Sequence, residues 1–207
     1  TKPNPSTTPT TTEPVKPTPA PTTPTTPAAT PSSEPVIKPT GVTAAAGLRT
    51  AVARLSPTSG NQATGTVTFT AASSGMGVTV QVSMTGLTPG EHGIHIHEKG
   101  DCSTPDATSA GDHFSATPSQ HGGPHDTMRH TGDLGNIVAD AQGHVETSFQ
   151  DDRLSLSGPD SILNRSVIVH AGKDDFTTQP TGGSGARVAC GVIEGQQQPE
   201  TQAETPR

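Results

Sequence analysis

His95 and His97 stand one residue apart in the run Gly93-Ile94-His95-Ile96-His97-Glu98, and His113, His121, His130, Asp133 and His170 extend the pattern. Six histidines and one aspartate, ordered H-x-H, H-x7-H-x8-H-x2-D and a distant His, exceed what one metal ion needs. Imidazole nitrogens suit copper and zinc, and a lone carboxylate among them suits zinc. Number and type fit two neighbouring metals, and such a paired site, if the chain brings it together, is a redox centre. His92, His125 and His144 have no comparable pattern around them. His144 reads as solvated surface, and His92, which shares strand parity with Ile94 and Ile96, as structural.

The elements that must position these side chains alternate with a two-residue period. Val78, Val80, Val82 and Met84 oppose Thr79, Gln81 and Ser83, and Val67 and Phe69 oppose a row of threonines. Both segments read as half-buried strands. Strands are expected at Thr50–Leu55, Ala63–Ala71, Gly77–Met84, His92–His97, Asn136–Ala139, His144–Phe149, Ser166–His170 and Arg187–Ile193. Turn-forming residues separate them, as in Ser59-Gly60-Asn61, Thr88-Pro89-Gly90 and Ala141-Gln142-Gly143. Leu154–Leu163 could hold one helical turn, which Gly158-Pro159 limits. The expected fold is all-β: an eight-stranded antiparallel Greek-key barrel or sandwich. Two long connections, from Glu98 to about Thr131 and from Ala171 to Ala186, read as functional loops. By parity Ile94, Ile96, Val167 and Val169 point into the barrel, which turns His95, His97 and His170 outward beneath those loops.

Composition bounds the setting. Residues 1–40 hold 12 Pro and 13 Thr, too little apolar surface to offset the entropy of ordering. Residues 1–46 therefore read as a disordered, partly polyproline-II tether that could carry a glycan or a lipid. Residues 47–195 form the folded domain, and 196–207 a polar tail. The domain has 15 acidic residues against 8 basic ones, which argues against nucleic acid as a partner. No apolar run approaches the ~18 residues of a membrane span. The absence of Met at Thr1 is read as a sign of processing. Cys102 and Cys190 are the two cysteines. An even pair reads as one disulfide, with two free buried thiols as the alternative; a disulfide would imply an oxidising compartment, secreted, periplasmic or cell-envelope.

Taken together, several motifs closely resemble the copper,zinc superoxide dismutases. They are Gly93–Glu98, Ser109-Ala110-Gly111-Asp112-His113-Phe114, His121-Gly122-Gly123-Pro124, Arg129-His130-Thr131-Gly132-Asp133-Leu134-Gly135-Asn136, Val169-His170-Ala171, and Gly185 to Ile193. The resemblance runs from about Arg49 to Gly195, and the family is itself among the known sandwich architectures.

The resemblance implies dismutation of superoxide by alternate reduction and reoxidation of a His-ligated copper beside a structural zinc. It implies copper on His95, His97, His113 and His170, and zinc on His113, His121, His130 and Asp133. His113 would bridge the metals and deliver a proton, and Asp174 would link a copper His to a zinc His. Arg187 would dock the anion, Thr181 would narrow its approach, and Cys102 and Cys190 would form the family disulfide. Lys99, Lys173 and His125 are candidates at the rim. A non-catalytic copper or zinc carrier on the same scaffold is the alternative, although such a protein would be expected to lose Arg187 or some ligands. The loop between His170 and Arg187 is shorter than in animal members, and Cys102 comes earlier. With the tether, this looks more like a bacterial envelope or secreted member. A homodimer is open.

Overall fold

A computed structural model describes residues 48–73 and 77–196. The expected tether, and all of the expected tail except Gln196, lie outside these residues. The chain forms β1 (Thr50–Pro57), β2 (Thr64–Ala71), β3 (Val78–Thr85), β4 (Gly90–His97), β5 (Asp133–Ala139), β6 (Val145–Asp151), β7 (Ser166–His170) and β8 (Arg187–Gln196). All neighbours pair antiparallel in the order β5-β4-β7-β8-β1-β2-β3-β6. The crossings from β3 to β4 and from β6 to β7 make the Greek-key connections. β5 and β6 approach without pairing, so the barrel is nearly closed.

Side-chain alternation explains the strands. On β3, Val78, Val80, Val82 and Met84 are buried while Gln81, Ser83 and Thr85 are exposed. They join Val67, Phe69, Ile94, Ile96, Val167 and Val169 in one core. β4 from His92 onward and all of β7 are buried on both faces because loops cover the outer side. Ile168 belongs to a separate small cluster with Ala107, Ala110 and Cys190 beneath the first long loop.

Two expectations need correction. β5 starts at Asp133 rather than Asn136, because its ladder with β4 continues past an irregularity at Gly93/His95 to the pair His95–Asp133. Leu154–Leu163 holds no helix; it is a series of turns whose Leu154, Leu156 and Ile162 join the core. The helical turn among the described residues is instead a single 3-10 turn at Thr108–Ala110.

Three fastenings hold the first long loop. Cys102 and Cys190 are disulfide-bonded across 88 residues, with Cα atoms 5.8 Å apart. Backbone bonds form a triangle: Phe114 N–H donates to Ile96 O (2.8 Å), Gly132 N–H to Phe114 O (2.8 Å) and Ile96 N–H to Gly132 O (2.9 Å). A Cβ on Gly132 would fall onto Ile96 O, so glycine is required there. Third, buried Arg129 bridges the seam. It donates to Asp133 O at the start of β5 (3.0 Å) and to Asp151 Oδ2 at the end of β6 (2.6 Å).

Replacing both Cys102 and Cys190 with Ser is expected to lower stability by up to about 4–5 kcal/mol on chain-entropy grounds. The measurement is the urea midpoint against the parent chain. An unchanged midpoint would mean that the triangle and the loop's own packing hold it without the bond.

Candidate metal centre

Strands supply four of the seven expected ligands, among them Asp133, which opens β5. His95 and His97 leave the outer face of β4, and His170 ends β7, which pairs with β4. His113 is brought in by an isolated bridge to His97. The Gly132 corner of the backbone triangle then sets His130 and Asp133. Ring centroids of His113 lie 4.1 Å from His95, 4.9 Å from His97, 5.4 Å from His121 and 5.5 Å from His130. Two groups result: His95, His97, His113 and His170, and His113, His121, His130 and Asp133. Within each group the donor atoms all lie within 4.8 Å of one another. All seven residues singled out from sequence meet here, and His113 belongs to both groups.

Each ring in the first group commits one nitrogen elsewhere. His97 Nδ1 donates to Gly111 O (2.8 Å), His170 Nδ1 to Gly185 O (3.0 Å) and His95 Nε2 to Asp174 Oδ2 (2.7 Å). A proton on the committed nitrogen makes the other a lone pair. His95 Nδ1, His97 Nε2, His113 Nε2 and His170 Nε2 are buried without a hydrogen-bond partner. An unsatisfied buried polar atom costs about 1–3 kcal/mol, so four converging lone pairs fit a bound cation that favours imidazole. In the second group His113 Nδ1 lies 2.7 Å, His121 Nδ1 3.0 Å and His130 Nδ1 3.2 Å from Asp133 Oδ1. His121 Nδ1 is close to this oxygen but out of line for a hydrogen bond. Three imidazoles and one carboxylate fit zinc.

Asp174 is fully buried between the groups. Its Oδ2 accepts from His95 Nε2 and its Oδ1 from His121 Nε2 (2.9 Å). Asn136 holds its backbone in both directions, accepting from Asp174 N–H (2.8 Å) and donating to Asp174 O (2.9 Å). Gly182, at φ +69, passes so close that a Cβ would fall onto Asp174 Oδ1 and the His121 ring. Sequence reasoning missed the roles of Asn136 and Arg129, although both lie in the segment Arg129–Asn136. Their signal was a polar residue where a strand or loop needs none.

Arg187 stands beside the first group. Its guanidinium donates to Ala107 O (2.6 Å) and Gly111 O (2.7 Å), and Gly111 O also accepts from His97. Lys173 is paired with Glu91 (2.8 Å) and Lys99 with Glu98 (3.7 Å). His125 lines a different depression, with Pro124, Asp126 and Arg153, away from the one that Arg187 lines with Thr58 and Thr108. His92 is buried, its ring nitrogens 2.7 Å from His170 O and 2.8 Å from Thr88 O, which is a structural role.

In the metal-free protein, burial pushes His97 down to about 2 and His170 to about 3; it pushes His113 to about 4 against the pull of Asp133. These rings are neutral bases at neutral pH. Burial also lowers His121, but Asp133 and Asp174 together carry it up to about 9. Burial works against both carboxylates as well, yet their histidine contacts hold them well below the ordinary range. Below about 6.5 the unfolded chain binds protons at His97, His113 and His170 that the folded chain refuses. Stability therefore falls as pH drops from about 6.5 toward 4. The stability that the His121 proton adds is lost as pH rises from about 6.5 toward 9. Thermal unfolding of the metal-free protein is expected to show its highest Tm near pH 6.5, with the steeper fall on the acid side. A flat Tm between pH 4 and 6.5 would contradict the burial of three neutral rings.

The family model described as copper/zinc superoxide dismutase matches residues 63–193. The Cu-Zn superoxide dismutase 2 of Mesembryanthemum crystallinum is 51% identical over 124 residues, 56% of this chain and 79% of that protein. The extracellular Cu-Zn superoxide dismutase of Onchocerca volvulus is 43% identical over 156 residues, 71% of this chain and 76% of that protein. The crystal structure of the clock protein EA4 superposes with a TM-score of 0.65 at 44% identity, covering 72% of this chain and 95% of that one. The family match takes in both side-chain groups together with the strands that carry them, and the chain belongs to the copper/zinc superoxide dismutase family.

Proposed function

We propose that, in this superoxide dismutase, His95, His97, His113 and His170 hold copper while His113, His121, His130 and Asp133 hold zinc. The observation that carries this division is the set of four buried, unpartnered imidazole nitrogens beside a carboxylate-containing group that shares His113. Copper supplies the two oxidation states that one-electron exchange with superoxide needs, whereas zinc, with its filled d shell, supplies only charge and geometry.

The overall chemistry takes two superoxide anions and two protons to dioxygen and hydrogen peroxide. Arg187 offers the anion a fixed positive charge, aimed by the carbonyls of Ala107 and Gly111. Sharing Gly111 O ties its position to that of His97. His113 faces both groups through opposite ring nitrogens. It can hold a proton at Nε2 between the two strokes while Nδ1 stays on the Asp133 side. Asp174 orients His95 and His121 at once, so the two halves cannot turn independently. Lys99 and Lys173 each lie beside a carboxylate, Glu98 and Glu91, that offsets their charge, which leaves Arg187 as the main guide. Thr181, whose carbonyl accepts from Ser184 Oγ (3.2 Å), is the candidate that narrows the approach.

An oxidising setting, secreted or at the cell envelope, is supported by the disulfide and by the extracellular relative. No helix among the described residues is long and apolar enough to cross a membrane. Two further expectations belong to this reading. The Pro- and Thr-rich composition of residues 1–46 supports a tether that can carry a lipid or a glycan; a homodimer is tested directly by sedimentation equilibrium.

Elemental analysis paired with a superoxide-removal assay tests the division of roles. One copper and one zinc per chain, with activity following copper, is the expected result. His95→Ala should abolish dismutation with the far-ultraviolet circular dichroism unchanged; activity that survives would show that His95 is not a copper ligand. Arg187→Gln is expected to keep both metals and lower the rate, more so at low ionic strength, where its field reaches furthest.

A further inference from the structure

We propose that Gln179 is a positioning residue that latches the zinc half of the site, an inference that rests on His121 being a zinc ligand. One planar side-chain amide grips both backbone groups of His121: Oε1 accepts from His121 N–H at 2.9 Å, and Nε2 donates to His121 O at 2.9 Å. The orientation of the amide is fixed, because turning it over would set donor against donor and acceptor against acceptor.

The His121 backbone needs such a grip. It lies in a stretch with no strand ladder, and its N–H and C=O find no other hydrogen-bond partner among the described residues. A ring fixed by Asp133 and Asp174 on a free backbone could still be pulled away as the loop opens. Gln179 closes that route from the same short loop that supplies Asp174, so one segment holds His121 by ring and by backbone. The loop is itself stiff. Asp175 N–H donates to Gly182 O (2.9 Å) and Gly182 N–H to Thr178 O (2.7 Å). Asp175 Oδ1 accepts from the N–H of Thr177 (2.9 Å) and of Thr178 (2.8 Å). Gln179 is exposed, so the core does not depend on its side chain. The latch keeps zinc from escaping through the opening of the first loop.

The test is metal release from the fully loaded protein, with zinc and copper followed separately by chelators of different selectivity. Gln179→Leu leaves an apolar side chain of similar bulk, one bond shorter, and removes both bonds to His121. Zinc release is expected to accelerate about 10-fold, the lower end for loss of an outer partner of a ligand. Copper release should stay at the parent rate. Amide hydrogen exchange at His121 should rise in parallel. Unchanged zinc release, or equal acceleration of both metals, would overturn the latch. His121→Ala separates the two failures. Zinc held there as in the parent overturns the ligand assignment itself; zinc lost there, with parent-like release in Gln179→Leu, overturns the latch alone.

Discussion

Gathering six imidazoles and two carboxylates into one dry volume is the constraint to which the rest of this molecule answers. The four rings of the first group must be neutral, each in one tautomer, with a lone pair aimed at neighbours that cannot satisfy it. Burial, helped by repulsion from neighbouring imidazoles, keeps His97, His113 and His170 free of protons. Carbonyls of Gly111 and Gly185 and the carboxylate of Asp174 then choose the tautomers. A barrel wall suits the task because β4 and β7 present three of the rings from paired strands that hardly move. Asp133 opens β5, but His113, His121 and His130 ride on the long first loop, and loops have to be fastened. The disulfide, the Ile96–Phe114–Gly132 triangle and the Asp174 bridge each answer that need at a different point along the chain.

An acidic domain that consumes an anion looks contradictory until distance is considered. Exposed carboxylates lose their influence within roughly a Debye length, about 8–10 Å at ordinary salt. Arg187 and the metals act at contact range, from within a partly buried setting where fields are less screened. Focusing of a charged substrate by local rather than net charge is a general effect for which superoxide dismutases serve as an example.

The sequence carried the seven residues that gather into two groups, the barrel and the Cys pair because each follows from a short-range rule. Strand parity turned His95 and His97 away from Ile94 and Ile96, and spacing grouped His113, His121, His130 and Asp133. What stayed illegible depends on contacts between distant segments. No local rule says that Gln179 reaches a backbone 58 positions away. None says that Arg129 spans two strands or that Asn136 holds Asp174. The early start of β5 was hidden for the same reason: Asp133 looks like a loop ligand until its pairing with His95 is seen. Leu154–Leu163 misled in the other direction, since apolar residues that plug a barrel end need no periodicity at all.

The seam between β5 and β6 carries one more consequence. In an open sheet these would be the two outermost strands, each with a row of amides and carbonyls ready to pair with a foreign chain. Here they turn toward each other, and Arg129 locks the gap from one side while Asp151 receives it on the other. The same buried ion pair that steadies a metal-bearing turn therefore also ties the ends of these two edge strands together and works against their parting to accept a foreign strand. Self-association into cross-β aggregates would have to begin by prising that seam apart.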